Sequence, residues 1–301
     1  MMKLNNSEYN RLKKLVDEHI LDFIPNIDPK SKTLYDSMKY SLTAGGKRLR
    51  PVLLLAAVEL CRGNAAEYLS FACAAEYIQT YSLIHDDLPA MDDDDYRRGK
   101  LTNHKVYGEG IAVLAGDGLL SAAYEVMIKN MLMYLDEPEA LNRRVRATYA
   151  LTKGTGCRGM ISGQVADLES ENKECSAEML DFIHDNKTAA FITSCAMAGG
   201  YLGGAEASMM EDLRIYGNNL GLAFQVVDDI LDVIGDAEEM GKSTGKDAEL
   251  GKNTYISVYG LERSKERAHE LIGKAREVME KYYDEAEVFN YVLDLLESQI
   301  V

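Results

Sequence analysis

Six aspartates fall within ten positions, Asp86 to Asp95, in the stretch HDDLPAMDDDDYRRGKLTNH, and Arg97 and Arg98 follow them. A second acidic group, Asp228, Asp229 and Asp232, interrupts the otherwise apolar run NNLGLAFQVVDDILDVIGD. Carboxylates this close repel one another, and burying each without compensation costs several kcal/mol. Hard divalent cations with oxygen ligands remove that cost, and Mg2+ characteristically bridges carboxylates and substrate phosphates. A solvated acidic run accounts for Asp93, Asp94 and Asp95 without any ligand. It does not account for a second group placed on an apolar helix. A third candidate, Gln164 and Asp167 within GQVAD, sits one turn apart and reads equally well as a helix-surface pair.

Basic residues lie beside the acidic ones. Lys47 and Arg50 occur in GGKRLRP, after two glycines that permit close backbone approach. Lys187 and Thr188 open an uncharged segment, and Lys242, Lys246 and Lys252 punctuate EMGKSTGKDAELGKNTY after the second acidic group. For Lys246 an ordinary solvated charge is a sufficient reading. Arginine grips phosphate oxygens bidentately and lysine acts as a point charge, so the set as a whole points to a diphosphate site built from metal and cation together.

These residues need rigid elements. The 301-residue chain has 47% hydrophobic residues, enough for a sizeable core, and only five prolines. Apolar residues recur at three and four positions, which predicts helices over 5–23, 32–43, 49–62, 65–87, 109–134, 138–153, 157–169, 177–200, 206–234 and 260–300, with a break near 284. No alternating stretch is long enough for a sheet. The expectation is one all-α domain, 1–301, forming a large bundle in which several helices are apolar nearly all round. Gln79, Ser82 and Asp86 share a face of one helix; Pro89 ends it, and a bend after Asp87 would return Asp92 toward Asp86. Gln225, Asp228, Asp229 and Asp232 line a face of another.

A net charge of −16 argues against nucleic acid or an anionic membrane as partner. Five scattered cysteines without a CxxC pair suggest reduced thiols in a cytoplasmic protein. The first twenty residues lack the apolar core of a signal peptide. Residues 188–205 carry no charge, but their glycines and hydroxyl residues favour a buried bundle helix over a membrane span, so an integral membrane protein is not expected.

In the order GGKRLRP, DDLPAMDDDDYRRG, GQVADL, KT, FQVVDDILD and a lysine loop, roughly residues 30 to 260 resemble a trans-prenyltransferase of the isoprenyl diphosphate synthase family. The resemblance implies long antiparallel helices around a deep central cavity, and a homodimer. It implies that Asp86, Asp87, Asp92, Asp228, Asp229 and Asp232 hold three Mg2+, with Mn2+ as a possible substitute, on dimethylallyl or geranyl diphosphate. Arg97, Lys187, Thr188, Gln225, Lys242 and Lys252 match positions that contact this allylic substrate. Lys47, Arg50, Gln79 and Arg98 match the isopentenyl diphosphate site, where the family often has His in place of Gln79. The backbone carbonyl of Lys187, the Thr188 hydroxyl and Gln225 would border the reacting carbon. No protein base is evident, and His85 reads better as a structural hydrogen-bonder.

Within that resemblance, Tyr81 lies five residues before Asp86, about 7 Å along a helix, and Ser82 follows it. A ring there would stop chain growth early, and with the two extra residues inside DDLPAMD it is similar to bacterial farnesyl diphosphate synthases. A geranylgeranyl or geranyl diphosphate synthase is the alternative, and a non-catalytic subunit of a heteromeric prenyltransferase the remote one. A terpene cyclase fits less well, because cyclases typically replace the second acidic motif. Two departures are Leu101, where the family usually has Pro, and the terminal LLESQIV, which lacks a basic residue that helps close the site in many relatives.

Overall fold

The computed structural model describes residues 6–173, 175–234 and 252–300. Its helices are α1 (Ser7–His19), α2 (Lys32–Leu42), α3 (Leu49–Leu60), α4 (Leu69–Asp86), α5 (Asn103–Tyr107), α6 (Glu109–Leu132), α7 (Pro138–Thr155) and α8 (Met160–Ser170). After these come α9 (Ala177–His184), a π-helical turn (Asp185–Ala189), α10 (Ala190–Gly203), α11 (Ala207–Ile234), α12 (Tyr255–Tyr259), α13 (Leu261–Met279) and α14 (Glu287–Glu297). A two-residue hairpin, β1 (Tyr96–Arg97) with β2 (Lys100–Leu101), is the only strand pairing among the described residues.

Helices with an apolar residue at nearly every position go to the centre. In α3 the run Pro51–Val58 is wholly buried, and in α4 the run Leu69–Ile78 is too. The uncharged α10 packs between α3, α7 and α11, as its composition predicts, with Phe191, Ile192, Cys195, Ala196 and Leu202 fully enclosed. A glycine of its neighbour sets how closely the two approach: a Cβ at Gly217 of α11 would lie 2.6 Å from the Thr193 Cα. Amphipathic α1, α13 and α14 close the outside.

Several boundaries differ from the periodicity reading. The first helix ends at His19, and a turn follows. The helix expected from 65 begins as a 3-10 turn, Ala65–Tyr68. The stretch 177–200 is two helices joined by the π turn. The break expected near 284 falls at Tyr283, whose φ of 46° is not helical. Among the described residues, the helix long and apolar enough to cross a membrane is α6 rather than the 188–205 segment. One face of α6 and the turn after it expose Val113, Leu114, Ile128, Leu132, Met133 and Leu135. Lys242 and Lys246 lie outside the described residues.

Candidate active site

At the end of α4 the chain doubles back as expected. The Asp92 amide donates to the Asp86 carbonyl (2.8 Å) and the Asp94 amide to the Asp87 carbonyl (3.2 Å), so the acidic run wraps the helix end instead of extending it. Arg97 Nε donates to Asp87 Oδ1 (2.6 Å) and its Nη2 to Asp94 (3.3 Å). Lys252 Nζ reaches Asp92 at 2.9 Å, and Lys105 reaches Asp95 at 2.7 Å. Asp94 and Asp95 therefore help hold the loop. Burial pushes the Asp87 carboxyl up to about 7 despite the Arg97 bridge, which pulls the other way. Asp86 is also raised, by burial first; Lys187 opposes that and Asp92 adds to it.

The second acidic group lies on α11 and is linked to the first through the π turn, whose Lys187 feels Asp86 and Asp92 and whose Thr188 bonds Gln225. Asp229 and Asp232 are buried and Asp228 is half-buried. Asp229 is tied at both oxygens: Oδ1 accepts from Gln225 Nε2 (2.9 Å), Oδ2 from the Tyr255 amide (2.7 Å). The Gln225 Oε1 in turn accepts from the Thr188 hydroxyl (2.9 Å). Thr188 and Lys187 sit on the π turn, where an inserted residue widens the helix, a distortion frequent at functional sites. The widening matches its neighbours. A Cβ at Gly163 of α8 would run into the Lys187 backbone, and one at Gly221 of α11 into Ala189. Lys187 Nζ bonds Asp167 at 2.5 Å. Burial works against the Lys187 ammonium, but Asp167 and Asp86 outweigh it and hold its pKa above the ordinary value.

A third cluster, of cations, lies at the start of α3. Arg50 is stacked 4.9 Å over the Phe191 ring, and its Nε is buried with no hydrogen-bond partner. The Gln79 amide oxygen is buried without a partner as well. Arg98 donates to the Gly45 carbonyl and lies against Gly46, where a Cβ would come within 2.6 Å of the guanidinium carbon. Gly46 also has φ 120°, and that backbone conformation is what calls for glycine there. Burial pulls the Lys47 ammonium down in pKa, and Asp228 pulls it back up, which puts Lys47 within electrostatic reach of the second acidic group.

Tyr81 is buried, with its ring edge-on to His85 at 5.7 Å between centroids. Five residues turn a helix by about 140° beyond a full turn, so Tyr81 does not lie straight below Asp86. It closes the side toward α6, where the Tyr124 phenol adds to the burial that raises its own pKa. Ser82, one turn below Asp86, donates to the Gln79 carbonyl (3.0 Å) and leaves that face narrow in side chain. His85 bonds the Val113 carbonyl (3.0 Å), the structural role its position suggested.

Of the residues singled out by sequence, Asp86, Asp87, Asp92, Arg97, Lys187 and Lys252 interact with one another, and Thr188, Gln225 and Asp229 form a hydrogen-bonded chain beside Lys187. Three kinds of residue escaped that reading. Asp167, left open as a surface pair, is buried against Lys187. His184 and Tyr255 stack on each other beside Asp229, and burial pulls His184 down to about 4. Arg48, in the middle of GGKRLRP, turns inward. Among the described residues no three metal-ligand side chains already stand at metal-binding spacing. Still, five carboxylates, Asp86, Asp87, Asp92, Asp94 and Asp167, cluster with three cations, Arg97, Lys187 and Lys252, and oxygen donors of this kind suit Mg2+.

Comparison with known proteins bears on the same cleft. The polyprenyl synthetase family model matches residues 31–292. A chloroplastic geranylgeranyl pyrophosphate synthase of Capsicum annuum is 47% identical over 270 residues, 89% of this chain and 70% of that one. An FPP/GFPP synthase from Zymomonas mobilis superposes with a TM-score of 0.83 at 30% identity, covering 95% of this chain and 96% of the other. A geranyltransferase from Helicobacter pylori, solved with magnesium and isoprenyl diphosphate, gives 0.83 at 30% identity over 98% of both chains.

Proposed function

The chain belongs to the polyprenyl synthetase family, and from that premise we propose that this prenyltransferase condenses isopentenyl diphosphate with dimethylallyl or geranyl diphosphate to give farnesyl diphosphate. Asp86, Asp87 and Asp92 from one wall and Asp228, Asp229 and Asp232 from the other hold Mg2+, three ions per site, with Mn2+ as a substitute. Bound there, the metal supplies Lewis acidity to the departing diphosphate. Arg97, Lys187, Lys252 and Lys242 grip the same diphosphate. Their positive charge stabilises the negative charge that develops as the C1–O bond breaks. The Lys187 carbonyl, Thr188 hydroxyl and Gln225 amide face the allylic cation so formed. Lys47, Arg50, Gln79 and Arg98 hold isopentenyl diphosphate, whose double bond attacks that carbon, and the released diphosphate takes the final proton. The orphaned Arg50 Nε supports an anion at this end.

The observation that supports the C15 product is the buried Tyr81 ring beside Tyr124 of α6; the small Ser82 beneath Asp86 adds no floor of its own. A geranylgeranyl product is the second reading, favoured by the name of the Capsicum annuum relative. Both acidic motifs are present, which weighs against a silent subunit. The uncovered apolar face of α6 supports a homodimer formed through it, and five unpaired cysteines support a cytoplasmic setting.

Product length decides between the readings. Purified protein is incubated with geranyl diphosphate, labelled isopentenyl diphosphate and Mg2+, with an EDTA control, and the dephosphorylated alcohols are separated. Farnesol, lost with EDTA, is expected. Geranylgeraniol would keep the chemistry and discard the Tyr81 floor. Absence of any product would return weight to a silent subunit.

A further inference from the structure

Three bases stand in GGKRLRP, and the structure separates them. Lys47 and Arg50 belong to the cleft, while Arg48 is 3% exposed and points into the bundle. Each arm of its guanidinium is used: Nε donates to Asp17 Oδ1 of α1 (2.8 Å), Nη1 to Glu76 Oε1 of α4 (2.5 Å), and Nη2 to the Leu42 carbonyl at the end of α2 (2.6 Å). Glu76 is 2% exposed. Arg48 is also the cap residue of α3 and is left-handed, φ 53° and ψ 35°, a conformation that a non-glycine residue holds only when its surroundings enforce it.

Everything on the isopentenyl side hangs from this junction. Lys47 is the preceding residue, and its carbonyl is pinned from the other direction by the Tyr9 hydroxyl (2.6 Å). Arg50 lies in the first turn of the helix that Arg48 caps. Gln79 is three residues after Glu76 and so on the same face of α4. Arg98 lies on Gly46, two residues before Arg48. The Glu76 carboxylate also opposes the lowering that burial imposes on Arg50, after Cys195, and on Arg98, where it is the largest opposing charge. A buried ion pair is weak evidence of stability, since well-packed apolar residues often replace one without loss. What apolar residues do not replace is the geometry and charge it imposes on its neighbours.

We propose that the buried Arg48–Glu76–Asp17 network is a positioning device for isopentenyl diphosphate, fixing Lys47, Arg50, Gln79 and Arg98 around one diphosphate without touching it. The inference rests on the substrate assignment above. It makes Arg48 and Glu76 specificity-determining for one of two diphosphates, though both are hidden from each.

The test compares wild type with E76Q, R48M and the double variant R48M/E76M by steady-state kinetics in each substrate, beside thermal unfolding. The expected result is a KM for isopentenyl diphosphate raised about ten-fold in every variant, with kcat and the allylic KM within about three-fold of wild type. The double variant should be no worse than either single one, because the pair acts as a unit. An unchanged isopentenyl KM in a folded double variant would overturn the proposal. So would an equal loss in both KM values and kcat that follows the thermal midpoint, the signature of a mere staple. If R48M fails to fold, the isosteric E76Q carries the comparison. If wild type turns over no substrate pair, the substrate assignment fails instead. Calorimetry with inorganic pyrophosphate then judges the network: about ten-fold weaker binding to E76Q sustains it, and equal binding overturns it.

Discussion

The two ends of the cleft handle charge in opposite ways. At the isopentenyl end the cations carry their own counter-charge: Glu76, fully buried, lies among Arg48, Arg50 and Arg98, and the loop is braced by glycines and hydrogen bonds. At the allylic end the carboxylates outnumber the cations that reach them, and burial drives Asp86 and Asp87 toward the protonated form. One end keeps Arg50 Nε free for an anion and needs no metal. The other, on the proposed reading, is completed by metal and substrate. An anionic substrate alone suits the first, whereas the second binds an anion only after divalent cations have reversed its sign.

Substitutions separate the two ends by size of effect. Asp228→Asn removes a carboxylate proposed to hold Mg2+ and should lower kcat by on the order of 10³, with excess Mg2+ restoring part of it. Arg50→Ala should leave the metal requirement alone and lower kcat/KM for isopentenyl diphosphate by about 100-fold. A metal titration run on both variants checks the pair of expectations. If R50A altered the Mg2+ dependence, or D228N did not, the division into a metal end and a protein end would fall. Asp167→Asn comes next, at about ten-fold in kcat. It loosens Lys187 on the π turn, and the loss should appear with every allylic substrate while the isopentenyl KM stays put.

How legible each end was in the sequence follows from the same contrast. The acidic groups announced themselves, because aspartates one turn apart on an apolar helix have few other uses, and the helices followed from apolar spacing and from breakers such as Pro89. The folding back of Asp92 onto Asp86 was readable from that proline. The π turn was not readable. Nothing in DNKTA marks it; it fits the close approach of Gly163 and Gly221, which are distant in sequence. Helical spacing alone does not say whether the face that carries Asp167 meets solvent or Lys187. Arg48 looked like its neighbours Lys47 and Arg50. Only Glu76 and Asp17, brought up by other helices, turn it inward.

The smallest expected effect is on stability, and its sign follows from the raised carboxyls. Asp87 titrates near 7 in the fold and near the ordinary carboxylate value, about 4, when unfolded. A carboxyl whose pKa rises on folding binds its proton more tightly in the native state. The metal-free fold therefore loses stability as pH climbs from about 4 toward 7, and the loss is complete above that. Mg2+ binds the ionised carboxylates, so the stability it adds should grow with pH. Thermal unfolding at pH 6 and pH 8, with Mg2+ and with EDTA, should show an increment of a few degrees at pH 8 and a smaller one at pH 6. Asp87→Asn, which has no proton to bind at this position, should flatten the difference between the two pH values. An increment equal at both pH values in the wild type would mean that the acidic end is already neutralised by Arg97, Lys187 and Lys252, and the contrast with the isopentenyl end would reduce to one of shape.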